Sequence, residues 1–170
     1  ILTGMSFPGR KRRPAPDPIN ALLSFGYTLI ANELHSLLDG IGFDPYLGFF
    51  HQVDYGRPSL ALDLMEEFRH PLVDRLTIHL INKGVLKDQD FSPDPTSGSM
   101  HLKPEAMKVY FQHYERWMVG ERVTGPDEKK VGYRRAFLLQ AQRMAEAIQA
   151  GPEYAPFRYA PSGGSSKIED

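Results

Sequence analysis

Apolar positions recur at helical spacing along most of the chain, and the breaks fall where glycine and proline cluster. Asp17-Pro18 is a helix start, with an acidic N-cap followed by proline where its missing N–H costs nothing. From there Leu22, Leu23, Phe25, Leu29, Ile30, Leu34, Leu37 and Leu38 cover much of the circumference of a helix reaching about Asp39, with Gly40 as a left-handed C-cap. A helix apolar on so many sides belongs at the centre of a bundle. After the Gly56-Arg57-Pro58 turn, Ser59 can cap a second helix with Leu60, Leu64 and Phe68 in one stripe. His70-Pro71 is expected to kink or restart it, and a further helix from Pro71 to Asn82 carries Leu72, Leu76 and Leu80 up to Gly84. Lys103-Pro104-Glu105 opens another, to about Met118, with Tyr110, Tyr114 and Trp117 in the core. The last helix, about Glu128 to Ala150, bears Phe137, Leu138, Ala141, Met144, Ala145 and Ile148 on one face and stops at Gly151-Pro152. Between these lie a loop from Gly120 to Asp127 and, around DPTSGS, a short hairpin. The pattern predicts a mainly α chain: a single helical-bundle domain with at most one small β-hairpin.

Residues 1–16 carry turns without periodicity and read as a linker, 17–151 as the helical domain, and the proline-, glycine- and serine-rich 152–170 as a flexible tail. At 170 residues with 41% hydrophobic positions, one core is supported. No apolar run approaches the roughly 20 residues a bilayer span requires, so no membrane partner is expected. The absence of cysteine excludes disulfides, thiol catalysis and cysteine zinc sites. A net charge of −1 leaves nucleic-acid contact to local clusters. Two exist: Arg10-Lys11-Arg12-Arg13, and Lys129, Lys130, Arg134, Arg135 and Arg143 near the last helix. Either solubility or phosphate contact accounts for both.

The chemistry concentrates between Phe43 and Arg69. Asp63, Glu66 and Arg69 are three apart and form a polar row opposite the apolar stripe of their helix, and His51 stands among Tyr46, Phe49 and Phe50. A solvated helix face and a core histidine explain these residues as well as a metal site does. If a metal binds, oxygen donors with one imidazole and no thiolate suit magnesium or manganese better than zinc. Glu67, one residue on, points about 100° away from the row and is expected to matter less. His70 and His79 read as structural or surface residues.

RPAPDPINALLSFGYTLIANELHSLLDGIGFDPYLGFFH, followed by GRPSLALDLMEEFR, resembles the catalytic domain of the CRISPR-associated integrase. That family is the metal-dependent DNA endonuclease that inserts new spacers into CRISPR arrays by transesterification. The similarity runs from about Arg12 to Lys83 and continues more loosely through the QAQRMAEAIQAG helix. The resemblance implies that His51 and Glu66 are metal ligands for Mg2+ or Mn2+, that Asp63 orients His51, and that Arg69 serves catalysis or DNA contact. It places Asn20 and Tyr27 beside the active site, with a DNA-contact role, and assigns Arg12, Arg13, Arg134 and Arg135 to the DNA backbone. The family's first metal glutamate lies upstream of the first motif, whereas no glutamate precedes Glu33 here. The chain is therefore expected to be a C-terminal fragment, without the family's N-terminal β-domain and inactive alone. Implied partners are double-stranded DNA (prespacer and CRISPR repeat), a second copy in a full-length homodimer, and a small ferredoxin-like protein, all in the cytoplasm. The alternative is a non-catalytic helical DNA-binding or assembly module. A phosphohydrolase of the helical His-Asp type is disfavoured, since no adjacent His-Asp pair occurs.

Overall fold

The computed structural model describes residues 5–11, 14–48, 58–124, 129–151 and 153–159. The architecture is mainly α, with α1 (Pro18–Gly40) at its centre. Ile19, Leu22, Leu23, Ile30, Leu34 and Leu38 of α1 are buried, and the helix packs against the next two helices, the last helix and the first hairpin. Asp17 caps it as expected, accepting from Asn20 N at 2.8 Å. At the other end the left-handed residue is Gly42 (φ 90°) rather than Gly40, which stays helical.

The second helical pattern is continuous where a break was expected. α2 (Ser59–Phe68) passes through a π-helical segment, Arg69–Asp74, directly into α3 (Arg75–Asn82). Proline removes an N–H and crowds the carbonyl four residues back. A wider i→i+5 turn takes up both faults without breaking the axis. Tyr133 O–H donates to the Pro71 carbonyl from the last helix and holds the widened turn in place. Ser59, expected as the cap, is fully buried inside α2. The start of α2 is fixed instead by Leu60 N donating to the Pro45 carbonyl at 2.9 Å.

Two short antiparallel pairs appear among the described residues where one hairpin was expected. β1 (Phe91–Pro93) pairs with β2 (Met100–Leu102) around a tip where Asp94 accepts from the amides of Thr96 and Ser97. After α4 (Pro104–Val119), β3 (Val123–Thr124) pairs with β4 (Lys130–Val131). The last helix, α5 (Tyr133–Ala150), consequently starts five residues later than its charge pattern indicates. Tyr110, Tyr114, Tyr133 and Phe137 fill the space between α4, α5 and α1, whereas Ile148 is 53% exposed. No helix among the described residues is long and apolar enough to cross a membrane.

Two glycines are dictated by close approach. A Cβ on Gly26 would lie 2.5 Å from Val73 Cγ1 and 2.7 Å from Tyr110 Oη, and one on Gly132 would lie 2.5 Å from the Met118 carbonyl oxygen. Gly26→Ala is expected to destabilise the chain by about 1–3 kcal/mol through overpacking. Gly132→Ala should cost at least as much, because backbone cannot swing aside. Urea unfolding monitored by circular dichroism would measure both.

The stretches read as linker and tail both carry packed residues. Ala15 is in the core and its carbonyl accepts from Met100 N at 2.9 Å. Tyr154, Phe157 and Tyr159 pack against the core from the far end. The packed body therefore extends beyond residue 151, because aromatic side chains outweigh the prolines between them.

Candidate active site

Of the expected polar row Asp63, Glu66 and Arg69, the last two pair across the end of α2. Arg69 Nη1 donates to both oxygens of Glu66, at 2.8 and 2.7 Å, with the Glu66 side chain 46% exposed. Asp63, one turn earlier, is buried. Arg69 opens the π segment, and its guanidinium lies 4.4 Å from the centre of the Tyr27 ring on α1. Arg10 reaches the same ring at 5.4 Å, so one tyrosine carries two cations.

Tyr27 is fixed by its hydroxyl, which donates to Asp74 at the end of the π segment. Burial, and then the carboxylate beside it, push the Tyr27 pKa up to about 12, so the group is a neutral donor at neutral pH. In a regular α-helix residues five apart diverge by about 140°. The wider π turn brings Arg69 and Asp74 back toward one side, and Tyr27 meets both.

Asn20 is fully buried. Its Oδ1 accepts from Arg10 Nη1 at 2.9 Å and Lys11 N at 2.8 Å, while its Nδ2 donates to the Gly9 carbonyl at 3.0 Å and Asp17 Oδ2 at 2.7 Å. Both donors and both acceptor directions are used. The residue contributes to the site by pinning the segment 9–11 to α1 and setting Arg10 over Tyr27. Arg10 also donates to Ser24 Oγ at 3.2 Å.

Other expected contacts are distributed differently. Arg134 grips two carboxylates, Glu33 at 3.0–3.1 Å and Glu115 at 3.0–3.1 Å, and Tyr114 O–H donates to the same Glu33 at 3.0 Å. Its charge is thus neutralised within the fold, while neighbouring Arg135 stands exposed. Arg12, Arg13 and His51 lie outside the described residues. Among the described residues no group of three or more histidine, aspartate or glutamate side chains is close enough to hold a metal. His79 packs beside Trp117 and His113, with ring centroids 5.7 and 6.4 Å away, in keeping with a structural residue.

Glu67 turns away from the row, as its position on the helix requires. It is not idle: Tyr154 O–H donates to its Oε1 and Phe157 N–H to its Oε2, each at 2.6 Å. Burial raises its pKa, and these two donors work against that rise. Asp74 and the Glu67 contacts were not legible beforehand. For Glu67 the only signal was the aromatic spacing of Tyr154, Phe157 and Tyr159 in a proline-rich stretch.

Comparison with known proteins converges on one family. The family model described as CRISPR associated protein Cas1 matches residues 1–116. A Thermus thermophilus protein named CRISPR-associated endonuclease Cas1 3 is 42% identical over 154 residues, which is 89% of this chain and 46% of that protein. The chain thus spans less than half the length of that curated relative. Among solved structures, a casposase bound to integration product superposes with a TM-score of 0.77 at 25% identity, over 89% of this chain and 42% of that one. A chain of a Cas6-RT-Cas1–Cas2 complex superposes with a TM-score of 0.73 at 31% identity, over 88% of this chain and 16% of that one. With a family match over 116 consecutive residues and the same helical fold in both structures, the chain belongs to the Cas1 family.

Proposed function

We propose that the protein containing this domain is a metal-dependent DNA endonuclease and integrase that inserts spacer DNA into CRISPR arrays. The observation that carries this reading is the array of Glu66, Arg69, Tyr27 and Arg10, which sets an exposed carboxylate beside two cations on one face of a Cas1-family domain. The cations can meet the charge of a phosphodiester, and the carboxylate can hold the metal that such a transfer uses. The reaction is a transesterification in which a DNA 3′-hydroxyl attacks a phosphodiester and a second 3′-hydroxyl leaves.

The donor set fits Mg2+ or Mn2+ in kind. Glu66 offers a hard carboxylate at the surface, and the sequence supplies one imidazole, His51, with Asp63 to orient it. A bound divalent cation supplies charge neutralisation at the nonbridging oxygens and at the departing oxygen. The protein's own groups do the rest. Arg69 and Arg10 draw the phosphate to the Tyr27 face, where paired guanidinium hydrogen bonds fix its orientation. Tyr27, kept protonated, holds the two arginines at a set spacing and is itself held by Asp74. Glu66 is released when phosphate takes Arg69, and its oxygens are the ones that would hold the metal.

The substrates follow as prespacer DNA and CRISPR-repeat DNA. We assign the protein to the cytoplasm, where it acts as a homodimer with a small ferredoxin-like protein. The solved neighbour that contains Cas1 together with Cas2 supports such an assembly. Strand transfer by the longer protein onto a repeat duplex, with Mn2+ or with EDTA, tests the reading. Joined product is expected only with metal, and none is expected from the 170-residue chain alone. DNA binding without joining at any metal concentration would favour the rival, a non-catalytic helical assembly module.

A further inference from the structure

The π segment sits between two contacts made by one short stretch of chain. Immediately before it, Glu67 accepts from Tyr154 O–H and Phe157 N–H, both at 2.6 Å, and the Phe68 ring stacks on Phe157 with centroids 4.6 Å apart. Immediately after it, the Arg75 guanidinium lies 4.6 Å from the Tyr159 ring centre. On the opposite side, Gln140 of α5 donates to Tyr154 Oη and to the Ala155 carbonyl, each at 2.8 Å. Gln140 is 2% exposed, so its amide is committed to this stretch. The same helix supplies Tyr133, whose hydroxyl meets the Pro71 carbonyl in the middle of the widened turn.

We infer that residues 153–159 are a strap that braces the π segment and so sets the placement of Arg69 and Asp74 about Tyr27, with Glu67 as its anchor. π turns are rare inside α-helices and occur often at functional sites. Here the strap grips the helix on both flanks of the widened turn, and α5 backs the strap and the turn together. Without it, the segment 69–74 keeps the Tyr133 contact and the burial of Pro71, Leu72 and Val73, but its flanks are held less firmly and the widened turn that Pro71 requires gains freedom to twist. Arg69 and Asp74, one at each end of that turn, would then lose the fixed separation around the axis at which both meet Tyr27. Glu67 is on this account a positioning residue: it touches neither substrate nor metal. The effect on catalysis rests on the function proposed above, whereas the brace itself does not.

Hydrogen–deuterium exchange on the 170-residue chain tests the brace at both flanks. Glu67→Gln keeps the size of the side chain but has one acceptor oxygen for two donors, and Tyr159→Ala removes only the far contact. In both, amides of the 69–74 segment should exchange about tenfold faster, the loss of one charge-assisted hydrogen bond or one cation–π contact. The β1–β2 hairpin should exchange as in the parent chain. Should Glu67→Gln unfold the chain globally, Tyr154→Phe, which removes a single O–H, takes its place. Unchanged exchange over 69–74 while 153–159 is released would overturn the brace, and so would a strap that stays protected in both variants. In the longer protein Glu67→Gln should lower kcat about tenfold with KM and DNA affinity held. If the parent protein joins no DNA at all while the exchange result stands, the proposed function fails and the brace survives.

Discussion

Glu66→Ala in the longer protein is expected to abolish strand transfer, lowering the rate by about a thousandfold or more, because a catalytic metal contributes several kcal/mol of charge stabilisation. His51→Ala should do the same. DNA affinity should change little in either, since it rests on lysine and arginine contacts to phosphate that both substitutions leave in place. Asp63→Ala should lower the rate by about ten- to a hundredfold, as expected of a carboxylate that orients a ligand. Its burial one turn before Glu66 fits that role. Glu67→Gln should retain metal binding, because Glu67 faces the strap. Single-turnover joining assays with parallel binding isotherms would order the four variants. Full activity in both Glu66→Ala and His51→Ala would place the chemistry elsewhere.

The second large effect belongs to Arg69. Its Nη1 holds both Glu66 oxygens and its guanidinium lies over Tyr27, so one substitution breaks two parts of the site. Arg69→Ala should lower strand transfer about a hundredfold through misplacement of Glu66 and the phosphate. It should also reduce the dependence of log Kd on log salt by about one phosphate contact. Arg69→Lys should not rescue the rate, because a point charge on a flexible stem cannot span the carboxylate and cover the ring together. Salt titrations of DNA binding, read beside kcat, separate the electrostatic loss from the geometric one. Parent-like values for Arg69→Ala would remove the residue from the site.

Much of this arrangement was legible before the structure. The apolar coverage of α1 marked it as the centre, and the three-residue spacing of Asp63, Glu66 and Arg69 set them along one face. The family resemblance directed attention to Tyr27, which no periodicity distinguishes from a core tyrosine. What remained hidden was long-range. A local rule sees in Pro71 only a lost N–H and predicts a kink, but Tyr133, 62 residues away, meets its carbonyl and the widened turn survives. The basic cluster near α5 was open between solubility and phosphate contact, and Glu33, 101 residues distant, pairs with its Arg134. Lys129 and Lys130 read as helix N-terminal charge, whereas Lys130 pairs with Thr124 and the helix waits for Gly132. Proline and glycine content made 152–170 a tail, although three aromatics fasten 153–159 to the core.

Bound Mn2+, observed by electron paramagnetic resonance in the longer protein, tests the central claim most directly. The parent protein and Glu67→Gln should both convert free Mn2+ to a bound, broadened signal at the same low concentration. Glu66→Ala and His51→Ala should leave the free-ion spectrum, with helicity by circular dichroism intact. A bound signal that persists unchanged in Glu66→Ala and in His51→Ala would contradict the assignment of this face as the metal-dependent active site.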